Sequence, residues 1–139
     1  MQNSLKVVSQ RNLSPEIGWV DIRCDRASVL GNPFDMGKDE SLRDTVCQAY
    51  REWLWENIQL AQRGEERRVD CKRWGLRIAT TYKNPTSLEV YNELLSIAGR
   101  LLADQKVRLL CWCKRSDRDV VCHVDIIVRC LIWLNRTNP

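Results

Sequence analysis

The sequence predicts a single α/β domain over residues 1–139, a small Rossmann-like sandwich in which a mostly parallel central sheet is flanked by helices. Three observations predict it. The run Val107 to Trp112 is apolar on both faces toward its end, as in a central parallel strand. Two long segments, after Ser41 and after Thr86, repeat apolar residues at helical spacing. The coarse order of strand, helix, helix, strand, helix then brings strand ends and helix starts together along one sheet edge, where open α/β proteins bind ligands.

Leu5 to Ser9 and Trp19 to Cys24 read as short strands, bracketed by turn formers at Asn12 to Pro15 and Asp25 to Ser28. Asn32-Pro33-Phe34-Asp35-Met36-Gly37 is a loop, since Pro33 removes a donor and pushes Asn32 toward extended geometry. The first helix is expected from Ser41, with Ser41 and Asp44 spaced as a capping box. Leu42, Val46, Tyr50, Trp53, Leu54, Asn57 and Ala61 mark its inner face, and Gly64 ends it. Trp55 falls about 200° around the helix from Trp53, so the two cannot share one core.

Residues 63–84 read as a surface insertion. Arg63, Arg67, Arg68, Lys72, Arg73 and Arg77 outnumber Glu65, Glu66 and Asp70 there, and Trp74 and Tyr82 lie beside them. A solvated face of mixed charge is one reading, and a platform for a nucleic-acid backbone with stacked bases is the other. Thr86 and Glu89 form a capping box for the next helix, in which Leu88, Tyr91, Leu95, Ala98 and Leu102 repeat at helical spacing. The best strand follows, from Lys106 to Cys113, and a last helix is expected to start near Cys122.

The most informative cluster is Cys111-Trp112-Cys113 followed by Cys122-His123 and Asp125, which holds the only histidine of the chain. Three readings stay open. Cys111, Cys113, Cys122 and His123 have the ligand types of tetrahedral zinc, although the spacing departs from the usual knuckle with roughly two to four intervening residues. A catalytic cluster would use Cys122, activated at a helix start, with His123 or Asp125 as acid–base group. The bland reading is buried cysteines acting as small hydrophobes, with no resident cofactor.

Composition bounds the rest. A chain of 139 residues is long enough for a real core, and a net charge of +4 is too weak to imply nucleic acid by itself. Seven cysteines with no hydrophobic leader and no long apolar run suggest a reducing, cytoplasmic setting with free thiols and no membrane partner. Six tryptophans against one phenylalanine leave room for an interaction surface, because indoles serve interfaces as well as cores.

With these residues in place, the chain resembles the phage and bacterial family numbered 4326 among the domains of unknown function. Arg26 followed by Gly31-Asn32-Pro33-Phe34 carries the resemblance, together with Arg43, Tyr50, Trp53 and Leu54, and the Cys111-Trp112-Cys113 and Cys122-His123-x-Asp125 stretches. Two positions depart from the family pattern: residues 114–121 contain no proline, and Val124 stands where a glycine is usual. A weaker likeness is to α/β families ending in L-L-C…C-H-R that are associated with nucleosides or bases, with Val124 in place of the arginine. The family resemblance implies the fold and the place of the site; the loops expected at the strand ends, with the weaker likeness, suggest a nucleotide- or nucleoside-like ligand there, with Arg26, Ser28, Asn32, Cys111 and Cys113 as binding residues. If the domain is an enzyme, cleavage or transfer at an N-glycosidic bond is the implied reaction, with Cys122, His123 and Asp125 as the catalytic group. The rival expectation is a non-catalytic, phage-encoded protein that docks on a host protein or nucleic acid, in the host cytoplasm.

Overall fold

The computed structural model describes residues 4–112 and 122–137. Three strands form one wholly parallel sheet: β1 (Leu5–Ser9), β2 (Trp19–Arg23) and β3 (Lys106–Cys111), in the spatial order β1-β3-β2. As the apolar run predicts, β3 is central. Alternation along each strand splits the sheet into two faces. Leu5, Val7, Val20, Ile22, Val107, Leu109 and Cys111 share the face that meets the core, and Lys6, Val8, Asp21, Arg23, Arg108 and Leu110 share the other.

Both edge strands run the same way, so the chain must return the length of the sheet between them. Residues 10–18 are short of the dozen or so that a helical crossover needs. They cross the outer face instead, where Arg108 Nη1 donates to Ser14 O at 3.1 Å and Lys6 Nζ meets Glu16 at 2.7 Å. Arg108 is only 3 % exposed and forks onto Asp21, with Nε–Oδ1 at 2.6 Å and Nη2–Oδ2 at 2.8 Å. Cover on this face comes from a strap and an ion pair; the helices α1 (Arg43–Gln62), α2 (Ser87–Leu102) and α3 (His123–Thr137) pack together on the core face.

The first helix starts two residues later than its sequence suggests. Asp39, not Ser41, is the cap: its Oδ1 accepts from Ser41 N at 3.1 Å and closes a short 3-10 turn over Glu40–Leu42. The inner face of α1 is buried as expected, through Val46, Tyr50, Trp53, Leu54, Asn57 and Ala61, with Ala49, Ile58 and Leu60 beside them. Trp53 is fully buried and Trp55 is exposed.

In α2 the buried stripe is Val90, Leu94, Ile97, Ala98 and Leu101, while Leu95 and Leu102 are exposed. The expected repeat lies about one residue around the helix from the stripe that packs. The N-terminal capping box is formed as predicted, with Glu89 N donating to Thr86 Oγ1 at 3.3 Å and Thr86 N to Glu89 Oε1 at 3.0 Å. Thr86→Ala should therefore cost about 1 kcal/mol in urea unfolding; an unchanged midpoint would show that the box carries no stability.

The segment expected as a surface insertion runs beside the loop that follows β2. Val69, Cys71 and Ala79 are buried, Asp35 N donates to Arg77 O at 2.8 Å, and Ala79 N donates to Pro33 O at 2.9 Å. Those two backbone bonds bring Thr81 and Lys83 toward the strand ends. Among the described residues no helix is long and apolar enough to cross a membrane.

Candidate ligand-binding site

The site begins with a closed loop after β2. Ser28 N and Oγ both donate to Asp25 O at 2.9 Å, which turns the chain back on itself. Gly31 then passes so close to Asp25 and Arg26 that a Cβ there would stand 2.4 Å from Asp25 O and 2.6 Å from Arg26 Cα. Arg26 fastens the far side, with Nε donating to Asn32 O at 3.1 Å and Nη2 to Phe34 O at 2.9 Å. Asn32 Oδ1 accepts Phe34 N at 3.0 Å, and Tyr50 Oη donates to Leu30 O at 2.8 Å from α1. The glycine, asparagine and aromatic of the motif thus have separate jobs: close approach, a local turn, and a buried anchor whose ring meets Trp74 edge-on at 5.3 Å.

The start of α3 is joined to this loop through His123. Its Nε2 lies 2.6 Å from Cys24 O, and a carbonyl can only accept, so Nε2 carries the proton. Nδ1 then offers its lone pair toward the Cys122 thiol at 3.6 Å. Burial pushes the His123 pKa below the ordinary imidazole value, so the ring is neutral. Asp125 Oδ2 accepts Cys122 N at 2.9 Å, the carboxylate half of a capping box at the helix start.

Between loop, α1 and α3 lies a cavity of about 460 Å³, at the C-terminal edge of the sheet. Its walls include Asp25, Arg26, Asn32, Arg43, Lys83, Trp112, Cys122 and His123. Asn32 and Cys122–His123, far apart in sequence, meet here as their strand-end positions predict. Asp25 Oδ2 accepts from Arg23 Nη2 at 2.6 Å, Gln10 Nε2 at 3.1 Å and Trp112 Nε1 at 3.1 Å. Burial alone would raise the Asp25 pKa, but these bonds outweigh it and hold the carboxyl below its ordinary range.

Four of the sequence-selected residues therefore line the cavity: Arg26, Asn32, Cys122 and His123. Ser28 serves the turn, Asp125 caps α3, and Cys111 is fully buried on the core face of β3. Cys113 lies outside the described residues. The six described cysteines are free thiols, and burial pushes Cys24 up to about 12. His123 turns Nε2 to a carbonyl, and among the described residues, which exclude Cys113, no group of three or more His, Cys, Asp or Glu is placed to hold a metal.

Sequence reasoning missed Asp25, Lys83 and the indole of Trp112 as wall residues. Asp25 sits beside the selected Arg26 and was legible only as a turn former; Lys83 carries no local signal. The basic segment 63–77 is largely occupied with itself and its neighbours. Arg63 pairs with Glu65, Arg73 with Glu56 and Arg77 with Asp35, and the Arg73 guanidinium covers the Trp74 ring at 4.2 Å.

The profile of the family described as Domain of unknown function (DUF4326) matches residues 8–133. The chain belongs to this family. The DUF4326 match runs from β1 into α3 and takes in both motif stretches that build the cavity wall. Neither the curated proteins nor the solved structures contain a match to this chain.

Proposed function

We propose that this DUF4326 domain binds a nucleotide- or nucleoside-like ligand in the cavity at the C-terminal edge of its sheet. The observation that carries the reading is the Asn32 amide on the cavity wall: 8 % exposed, its oxygen held by Phe34 N–H, its Nδ2 without a hydrogen-bond partner among the described residues. With its oxygen engaged, the amide has its two N–H donors left for a ligand that accepts. The surroundings suit a planar ligand with polar edges, since Trp112 offers an indole and the volume falls within the roughly 300–1,000 Å³ of small-molecule sites.

The geometry supports binding more directly than catalysis. His123 and Asp125 are both committed to backbone partners. An N-glycosidic reaction here would lean on Asp25, whose ionised carboxylate suits charge stabilisation better than proton donation. In the second reading, a docking protein, Trp55 and Trp133 form the contact ridge, with rings edge-on at 5.4 Å between the exposed Arg51 and Arg129.

Thermal unfolding against a panel of nucleosides and nucleotides separates the two. A ligand at about 100 times its dissociation constant should stabilise the domain by roughly 2.7 kcal/mol, a shift of several degrees. Asn32→Asp keeps the oxygen that Phe34 needs and removes the donor, so it should abolish the shift. If no member of the panel moves the wild-type transition, the docking reading takes its place.

A further inference from the structure

We infer that the ligand carries a phosphate group, so that the cavity prefers nucleoside monophosphates to nucleosides or free bases. This rests on the binding reading above and adds the class of ligand to it. Three cationic side chains, Arg26, Arg43 and Lys83, stand in the wall against one carboxylate, Asp25. That carboxylate is already met by Arg23, which is not part of the wall, and His123 is neutral. Arg26 and Arg43 are likewise met by Asp35 and Glu40, so the positive charge that remains to the cavity is that of Lys83.

Backbone dipoles add to it. The first turn of α1 borders the cavity through Arg43 and Val46, continuing from the 3-10 turn that Asp39 caps. The first residue of α3, His123, borders it too, at a helix start whose Cys122 N–H is already taken by the Asp125 carboxylate. Helix N-termini favour anions through their positive dipole ends. Asn32, a residue only 8 % exposed, turns its amide donor to the same space.

Among the cations, Lys83 is the one left to a ligand. Arg26 is spent on the carbonyls of Asn32 and Phe34, and Arg43 pairs with Glu40 at 2.8 Å. Lys83 makes no ion pair among the described residues. A neutral nucleoside would use the indole and the amide and leave this ammonium to solvent, whereas a phosphate accepts from amide and ammonium together.

The test is isothermal titration of the full chain with adenosine, guanosine, cytidine and uridine, with their 5′-monophosphates, and with inorganic phosphate as competitor. At low salt at least one monophosphate should bind about tenfold tighter than its own nucleoside, the size of a charge-assisted contact. The preference should shrink as salt rises, and inorganic phosphate should displace the monophosphate. Lys83→Ala should bring the two forms toward parity. Arg51→Ala removes the same charge from α1 outside this cavity and should leave the preference intact. Equal affinity for a nucleoside and its monophosphate overturns the phosphate assignment and leaves the binding reading standing. A preference lowered as much by Arg51→Ala as by Lys83→Ala overturns it by tracing the effect to net charge, and one untouched by Lys83→Ala overturns Lys83 as the phosphate contact. Binding of nothing in the panel removes both.

Discussion

Gly31→Ala should unfold at a midpoint lower by about 10 °C, a loss of about 2–4 kcal/mol. The reason is not backbone conformation but space. The added methyl would lie 2.4 Å from Asp25 O and 2.6 Å from Arg26 Cα, and both are main-chain atoms that cannot rotate away. The loop would have to open between residues 26 and 31, and opening it pulls on the Arg26 bonds to Asn32 O and Phe34 O. Ligand binding should fall with stability, since Asn32 sits on the displaced side. Gly99→Ala is the control. It lies within α2 with nothing inside 4 Å of the added carbon, so it should stabilise by about 0.5–1 kcal/mol through helix propensity. Equal urea midpoints for Gly31→Ala and wild type would show that the loop does not need its close approach.

His123→Ala should destabilise the unliganded domain by about 2–4 kcal/mol. The imidazole is buried, bonded to Cys24 O at 2.6 Å, and meets the Tyr50 ring edge-on at 5.0 Å. Its removal leaves a buried carbonyl and a gap between the loop, α1 and α3. The pH dependence follows from the lowered pKa. A histidine whose pKa is lower when folded takes up its proton in the unfolded chain first. Wild-type stability should therefore be full above the ordinary histidine pKa, about 6.5, and decline as pH falls below it. The slope can reach about 1.4 kcal/mol per pH unit before the carboxylates begin to titrate. Because His123 is the only histidine, the same unfolding series on His123→Ala should be flat across that window. A wild-type curve as flat as the variant's would mean that the ring is not held neutral.

The parts of the fold that were legible in the sequence rest on local rules. Val107 to Cys111 could be placed at the centre of the sheet because its apolar run needs cover on both faces. Thr86 and Glu89 announce their helix because the capping box is a contact between near neighbours. Asn32 and Cys122–His123 could be brought together because each follows a strand, and parallel strands end on one edge. The stripe of α2 was not legible. Leu88, Tyr91 and Leu95 repeat as regularly as Val90, Leu94 and Leu101, and only packing selects one set.

The amino-acid sequence by itself determined the α/β class, the central strand, the family and the two motif stretches that wall the cavity, since each depends on periodicity or on residues close along the chain. Tertiary structure alone decided what the side chains do there. It turned His123 toward the Cys24 carbonyl and Asp125 toward the start of its own helix, and it joined Arg108 to Asp21 across neighbouring strands. It also carried Lys83 beside Asn32 through the backbone bonds of residues 33–35 to residues 77–79. The physical reason is that a side chain's hydrogen-bond partner and its desolvation are set by whatever the fold brings alongside, and residues many positions apart leave no periodic trace of that meeting.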